Sequence, residues 1–536
     1  MKPLLTKNLK VKFLGITPVL KDETGFLNPQ EIVALSSLAT FKGKSIKNLI
    51  KDIEKKGENV KERIKGILQK SSLRGHASVA TTPTLCLTYE GSKFLDWALT
   101  GLVFSSSLVS SGRRTDTTEK DIIFPQAIYR NAKARKIYHQ VSKENINLHN
   151  YFLSKGVSKD EARKILQQGI YGTGIIQLPI ESIISIKKEY ELEKDWMPEE
   201  IGIFLKNIEN SSKELGIDLL YSTRLLAPRN TYPYPNVFKN PAKTNIVRDL
   251  REKEKLSEGF KIITADILRV DGLKKKMAFL GRKSEDVFSS LNKIKKEYPN
   301  LLFLYQELIR DYNSALRLKI LSSIPMGVWT EKKRHRTIPM VVESLYFCIE
   351  RAVKVFNKFE EQLKNKKINK NAVKEIEQVI SIPPSIKSNH EFLLKYLLSA
   401  LESFQGYRNV IRLKIKPRDA AFLIPRGVKI DVLQEFDLYN LISGYYPLRL
   451  CTTADEEMRR NTIKEVLQIK KTLTEKGCGW LNKFIVPKCQ IVGFCPEEKT
   501  CPMIKSLIPN YDEKFHHEMK QDLEDKFQKY LRHLGK

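Results

Sequence analysis

Three adjacent side chains in the second half of this 536-residue chain could together bind an anionic or electron-rich group. They are Arg334, His335 and Arg336, and Glu343 and Ser344 follow them. Arginine presents a planar fork of donors that matches phosphate and carbonyl oxygens, and histidine can gain or lose a proton near neutral pH. Two cations beside a histidine repel one another unless they share such a partner. The triplet therefore indicates a binding site, and a basic surface patch is the alternative.

A similar order of segments occurs in the first half. His76 and Ser78 open it, a strand-like and a helix-like stretch follow, and it ends at Ser111-Gly112-Arg113. Gly101-Leu102-Val103 stands in the place of the triplet. The first half thus has the serine and arginine without the triplet, whereas the second half has the triplet and no arginine two residues after Ser344.

These motifs resemble those of the flavin-dependent thymidylate synthases (ThyX), which carry an Arg-His-Arg triplet, a Ser-x-Arg and an Ala-Arg-x-x-Leu-Pro segment. The first half keeps the arginine of that last segment as Arg163, and the second half keeps its proline as Pro425. Residues 447–458 resemble a further segment, with Arg449 at the position of its arginine. Because the losses mostly alternate, the resemblance predicts two diverged copies of one domain that share one composite site.

The resemblance also implies a fold class and a division of the chain. Each copy is expected to be an α+β domain like that of a thymidylate-synthase-complementing protein, an antiparallel sheet flanked by helices. We expect an N-terminal, nucleotide-holding copy at residues 1–240 and a linker at 241–258. A C-terminal copy with the triplet is expected at 259–510, and a terminal helix at 511–536.

Residue roles follow from the same resemblance. The residues expected to be catalytic are Arg334, His335, Arg336 and Arg449. Those expected to bind the substrate are Ser111, Gly112, Arg113, Arg163, Glu343 and Ser344. Those expected to bind the cofactor are His76, Ser78, Asp437 and again Arg334, His335 and Arg336.

The implied activity is the FAD-dependent reductive methylation of dUMP to dTMP, with methylenetetrahydrofolate and NADPH as co-substrates. The expected partners are dUMP and a second copy of the fused chain, which would make a homodimer equivalent to a tetramer of single domains. Two other classes of protein stay open. One is a catalytically degenerate pseudoenzyme that binds a nucleotide or flavin, and the other is a basic nucleic-acid-binding or uridine-modifying protein on the same fold.

The charge of the chain is extreme, with a formal net charge of +31 and a pI near 9.6. Such a charge attracts polyanions. No helix-turn-helix, zinc-finger or RNA-binding motif accompanies it, so a solvated lysine-rich surface is favoured over nucleic-acid binding. No apolar run approaches the length of a membrane span, and the N-terminus lacks the apolar core of a signal peptide. We therefore expect a soluble, cytoplasmic protein.

Seven cysteines in a chain of this length do not suggest a disulfide framework. Cys478, Cys489, Cys495 and Cys501 are separated by ten, five and five residues, a spacing that fits no standard zinc module. Buried free thiols are common in protein cores. We therefore expect no metal, and these four cysteines are the alternative metal-binding cluster.

Overall fold

The structure is a computed structural model and describes residues 3–22, 25–111, 115–254, 256, 259–508 and 511–534. Within it the chain forms two compact units, each built from separate stretches of sequence. Unit 1 contains Met1–Asp249, Ser323–Arg336 and Val341–Asp431, and unit 2 contains Leu250–Ser322, Thr337–Met340 and Val432–Lys536. Gly112 and Arg113 lie outside the described residues, so their roles stay predictions.

Strands and helices alternate along the whole chain. The strands are β1 (Leu4–Leu5), β2 (Lys10–Thr17), β3 (Leu20–Asp22), β4 (Gly25–Leu27), β5 (Thr84–Ser92), β6 (Ser106–Val109), β7 (Ile123–Phe124), β8 (Tyr171–Pro179), β9 (Phe260–Ile267), β10 (Leu316–Pro325), β11 (Met340–Val342) and β12 (Lys429–Asp437).

The helices of the first half are α1 (Pro29–Lys42), α2 (Ile46–Lys55), α3 (Val60–Lys70), α4 (Ser78–Thr81), α5 (Lys93–Leu99), α6 (Gln126–Arg130), α7 (Ala132–Ser154), α8 (Lys159–Ala162), α9 (Ile180–Leu192), α10 (Glu199–Ser211), α11 (Asp218–Leu226) and α12 (Ile246–Lys253). Those of the second half are α13 (Asp271–Val287), α14 (Leu291–Tyr312), α15 (Met326–Lys332), α16 (Leu345–Lys358), α17 (Glu360–Lys364), α18 (Lys370–Ile376), α19 (Pro384–Lys387), α20 (His390–Arg412), α21 (Pro417–Ala420), α22 (Leu438–Ile442), α23 (Tyr445–Arg449), α24 (Glu456–Glu475), α25 (Lys488–Val492), α26 (Ile504–Leu507) and α27 (Glu513–Leu534).

Two four-stranded sheets have the same strand order. Across the first sheet the strands lie in the order β2-β5-β8-β6, and across the second in the order β9-β10-β12-β11. If the four strands of each sheet are numbered along the chain, both spatial orders are 1-2-4-3. In the first sheet β5 pairs antiparallel with β8 from Thr84↔Pro179 to Ser92↔Tyr171. Alternate residues of β5 are buried, as in a sheet with one face on the core. The mixture of helices with antiparallel sheet confirms the expected α+β class.

Two segments of unit 1, residues 164–169 and 422–427, exchange backbone hydrogen bonds in matched pairs. In the first pair, the Gln168 amide donates to the Ile424 carbonyl (3.1 Å) and the Arg426 amide donates to the Leu166 carbonyl (2.9 Å). In the second pair, the Gly169 amide donates to the Phe422 carbonyl and the Gly427 amide donates to the Lys164 carbonyl, both at 2.8 Å. Within each pair the donor and acceptor segments are exchanged. Gln168 of the first half therefore occupies the same local position as Arg426 of the second.

Further matched contacts extend this correspondence. The hydroxyl groups of Tyr138 and Tyr396 each donate to a backbone carbonyl at 2.7 Å. The first residues of α5 and α15, Lys93 and Met326, each donate a backbone hydrogen bond to the residue before a strand. Both helices contain seven residues. Their positions can therefore be compared one by one.

The compact units differ from the division expected from sequence. Residues 323–336 and 341–431, which we placed in the C-terminal copy, belong to unit 1. In this unit the long helices α7 and α20 pack together across buried polar side chains. Asn145 donates to Ser403 at 3.0 Å, and Ser399 donates to Asn145 at 2.6 Å. Because α20 packs against α7, it belongs to the same compact unit as α7, although the two helices are far apart in the sequence.

Unit 2 has its own hydrophobic core, formed mainly by α13, α14 and α24 with the chain that follows them. The expected terminal helix is α27, whose Phe515 and Met519 are buried in this core. Among the described residues, no helix combines the length and apolar character needed to cross a lipid bilayer.

Candidate functional site

A small pocket in unit 1, with a volume of about 70 Å³, gathers charged side chains from both halves of the chain. We call it the cationic pocket, because five basic side chains line it against two acidic ones. Its lining residues are Lys93, Asp96, Trp97, Ser110, Ser111, Arg163, Lys164, Gln168, Gly327, Thr330, Glu331, Arg334 and Arg426. This excess of cations favours an anionic ligand.

One wall of the pocket is the start of α5. Ser92 caps this helix by accepting a hydrogen bond from the Phe94 amide at 3.2 Å. The Lys93 ammonium donates to the Ser110 carbonyl at 2.8 Å and to the carboxylate of Asp96 at 3.1 Å. Burial lowers the pKa of Lys93, and the charge of Asp96 opposes that shift. These contacts fix the wall before any ligand binds.

The opposite wall joins the two halves. The guanidinium of Arg163 donates to the carboxylate of Glu331 at 3.3 Å. Glu331 lies near the end of α15, a helix anchored by the fully buried Trp329. Arg334 follows two residues after the end of this helix and also lines the pocket. The composite arrangement expected from the alternating losses thus brings Ser111, Arg163 and Arg334 to one cavity.

Arg426 is one of several pocket residues that the sequence analysis missed. Its side chain is buried, and in the described part of the chain its Nε and Nη2 atoms have no hydrogen-bond partner. Burial, with repulsion from Arg163, lowers the pKa of Arg426 to about 10. Burying a cation whose donors are unused costs free energy. A bound ligand with hydrogen-bond acceptors would therefore stabilise Arg426. The signal was its position directly after Pro425, at the end of the family-like segment.

The other triplet residues do not line the pocket. Arg336 donates through Nη1 to the backbone carbonyl of Ser105, and the His335 amide donates to the Lys332 carbonyl at 3.0 Å. The structure therefore places Arg334 alone of the triplet in the cationic pocket.

Glu343 and Ser344, expected to bind the substrate, lie elsewhere in unit 1. Glu343 is buried and makes two hydrogen bonds with Arg351, at 2.9 and 2.7 Å. Ser344 donates to the Lys239 carbonyl at 2.6 Å and caps α16. Both side chains hold secondary structure in place and do not line the cationic pocket.

His76 and Ser78 line a second and larger cavity of unit 1, with a volume of about 530 Å³. Arg63 and Lys70 also line it, and the exposed ring of Phe41 stands at its edge. The residues expected to bind the cofactor are therefore divided, with His76 and Ser78 in this cavity and Arg334 in the cationic pocket.

Asp437 and Arg449 belong to unit 2. Asp437 caps α22 by accepting from the Asn440 amide at 2.9 Å, and it also accepts from Asn313 at 2.9 Å. Arg449 is the last residue of α23. Their predicted roles in cofactor binding and catalysis stay predictions.

The corresponding positions of the two halves differ in a systematic way. Charged residues of the cationic pocket match uncharged ones in the other half: Lys93 with Met326, Asp96 with Trp329, Glu331 with Ala98, Arg334 with Gly101, Arg163 with Ala421, Lys164 with Phe422, and Arg426 with Gln168. At Gly101 the backbone has φ +78, and a Cβ atom would lie 2.7 Å from the Lys333 carbonyl oxygen. The counterpart position therefore leaves no room for an arginine.

Known proteins share part of this sequence. Residues 317–473 match the family model described as thymidylate synthase complementing protein. The flavin-dependent thymidylate synthase of Pyrococcus abyssi (strain GE5 / Orsay) is 28% identical over 128 residues, which are 24% of this chain and 51% of that protein. The corresponding enzyme of Pyrococcus horikoshii is 30% identical over 129 residues, 24% of this chain and 52% of that protein. The chain thus spans about half the length of the curated relatives it matches.

Solved structures give only distant likenesses. The UMP/dUMP methylase PolB from Streptomyces cacaoi, bound with 5-Br dUMP, is 10% identical to this chain and has a TM-score of 0.31. The matched region covers 43% of this chain and 100% of the PolB chain. The ThyX of Helicobacter pylori, complexed with FAD and dUMP, is 12% identical, covers 42% of this chain, and has a TM-score of 0.26. Such scores support no conclusion about this chain. The family model and the curated relatives give the firmer likeness, because residues 317–473 match the thymidylate synthase complementing protein family, the ThyX family that the motifs indicated.

Proposed function

We propose that this chain is an FAD-dependent thymidylate synthase, which converts dUMP to dTMP by reductive methylation with methylenetetrahydrofolate as the carbon donor and NADPH as the reductant. The observation that carries the proposal is the buried Arg426, whose Nε and Nη2 lack partners in the described residues of a pocket that also contains Arg163 and Arg334. A nucleotide phosphate supplies both the charge and the acceptor oxygens that these donors lack.

The residues of the pocket divide into two proposed roles. Arg163, Arg426 and Ser111 bind the phosphate, since a planar guanidinium pairs with two phosphate oxygens at once. Arg334 lies toward the pyrimidine and stabilises negative charge that develops on a ring carbonyl oxygen. Glu331 holds Arg163 in position through the 3.3 Å contact and so orients one phosphate ligand.

The larger cavity has donor groups suited to the expected cofactor. Arg63, Lys70 and His76 present cationic or donor groups suited to a diphosphate, and Phe41 offers an exposed aromatic face. We propose that these residues, with Ser78, bind FAD, and that bound FAD supplies the reducing chemistry of the reaction. The chain's own residues bind, orient and electrostatically stabilise the reactants.

The chain is further proposed to be a tandem duplication in which one composite site survives. The matched hydrogen bonds of residues 164–169 and 422–427, and the identical strand orders, support two copies of one fold. The uncharged residues at the counterpart positions support a single nucleotide site in each chain. A homodimer of the fused chain would then contain two sites.

A spectroscopic and binding experiment tests the proposal. The purified full chain should take up FAD with the absorption spectrum of a bound flavin, and dUMP should bind with a stoichiometry of one per chain by calorimetry. With methylenetetrahydrofolate and NADPH added, dTMP should form. If FAD and dUMP bind and no dTMP appears, the pseudoenzyme is supported instead. If neither ligand binds, the proposed function is wrong.

A further inference from the structure

Four of the seven cysteines converge on one cavity of unit 2. Cys451, Cys489, Cys495 and Cys501 all line it. The set differs from the four cysteines considered from sequence, because Cys451 lines this cavity and Cys478 does not. Spacing along the chain could not reveal this, since Cys451 follows α23 and the other three follow α24.

The local backbone is built to bring these thiols together. Cys489 lies in α25, and Gly493 then reverses the chain with φ +81, a conformation that only glycine adopts easily. A Cβ atom at Gly493 would also lie 2.8 Å from the ring of Phe288. The Cys495 amide donates to the hydroxyl of Tyr511 at 3.1 Å, which fixes the loop that follows.

Cys489 and Cys495 are buried, whereas Cys451 and Cys501 are partly exposed. All four are free of disulfides. Apolar side chains line the cavity beside them, together with Lys499 and with Lys488, which forms an ion pair with Glu497. Four free thiols that line one cavity are the donor set of a metal centre.

We propose that Cys451, Cys489, Cys495 and Cys501 bind a [4Fe–4S] cluster that stabilises the C-terminal part of unit 2. A single zinc ion needs four sulfur atoms within about 2.3 Å of one point. In the described residues no group of three or more His, Cys, Asp or Glu side chains could hold one metal ion. A cluster brings its own iron and sulfide atoms to fill the space between four thiolates, so it fits sulfurs that share a cavity without meeting at one point.

Metal analysis of the full chain tests this assignment, and it does not depend on the proposed enzymatic activity. Protein purified without oxygen, then reconstituted with ferrous iron and sulfide, should contain about four iron and four acid-labile sulfide per chain. It should also give the electron paramagnetic resonance signal of a reduced cluster after dithionite, a signal distinct from that of a flavin.

Matched variants separate the cavity from other thiols. Cys451→Ser, Cys489→Ser, Cys495→Ser and Cys501→Ser should each lower the iron content several-fold. Cys478→Ser in the core and Cys86→Ser in unit 1 should retain it, and circular dichroism would report whether each variant folds. Reconstituted wild-type chain with no iron and sulfide bound, or with one zinc in place of iron, would overturn the proposal. So would iron that survives all four cavity substitutions combined.

Discussion

The guanidinium of Arg163 and the carboxylate of Glu331 lie 3.3 Å apart, and they come from opposite halves of the sequence. Both side chains are largely buried in unit 1. Neither half could therefore form the cationic pocket alone. The pairing accords with the proposed duplication, since a contact made within one folded unit needs each group only once.

The buried Arg426 leads to a prediction with opposite effects on binding and stability. Arg426→Met should weaken dUMP binding by roughly 2–4 kcal/mol, the scale of removing one partner from a buried charged contact. The ligand-free protein should be no less stable, because the substitution removes a buried cation whose Nε and Nη2 lack partners in the described chain. Calorimetric titration and urea unfolding of the same preparations measure both quantities.

Arg412→Met is a suitable control, because Arg412 is exposed at the end of α20. It should leave dUMP affinity unchanged. If Arg426→Met destabilised the ligand-free protein by several kcal/mol while dUMP binding stayed intact, Arg426 would be a structural residue. The main evidence that the pocket binds a nucleotide phosphate would then be lost.

A second prediction separates nucleotide binding from flavin binding. Arg113→Ala should weaken dUMP binding by roughly 2–4 kcal/mol and leave FAD bound. Arg63→Ala, in the larger cavity proposed to bind FAD, should lower FAD affinity while dUMP still binds. Separate titrations of dUMP and FAD into each variant measure both affinities. If both affinities are unchanged in both variants, these arginines bind neither ligand.

The sequence predicted the α+β class and three of the pocket's residues, Ser111, Arg163 and Arg334, because motifs survive at fixed spacing. It did not predict Arg426, because its position after Pro425 marks only the family-like segment, and neither its burial nor its missing partners can be read from the sequence. It also assigned the substrate to Glu343, whose carboxylate instead pairs with Arg351. Motifs locate residues along the chain, whereas the packing of both halves within unit 1 determines which of them meet.

A third prediction concerns Gly101, the position in the first half that corresponds to Arg334. Gly101→Ala should destabilise the protein by more than about 2 kcal/mol, because both the φ of +78 and the 2.7 Å approach to the Lys333 oxygen oppose a Cβ atom. Gly43→Ala isolates the first cause, since Gly43 has φ +62 and no atom within 4 Å of a Cβ atom. That control should cost only about 1 kcal/mol. Equal losses in thermal unfolding of the two variants would contradict the close approach.

The fourth prediction is a pH dependence of stability that originates at Glu200, at the start of α10. Its carboxylate is only 1% exposed and accepts a hydrogen bond from the Ser92 amide at 2.8 Å. Burial raises its pKa from 4.5 to about 7. Because the folded state holds this proton more tightly than the unfolded state, the stabilisation is complete below pH 4.5. It is lost as the pH rises through 7, by about 3 kcal/mol in total.

Glu200→Gln keeps the size of the side chain and removes the ionisation. The difference in unfolding free energy between variant and wild type should therefore change with pH, with the variant gaining up to about 3 kcal/mol relative to wild type between pH 5 and pH 8. Urea unfolding across that range measures it, and Glu199→Gln, one residue earlier and less buried, is the control. A difference that stays constant with pH would mean that Glu200 is already ionised at pH 5, so that the Ser92 hydrogen bonds outweigh burial. The buried start of α10 would then favour the charged carboxylate.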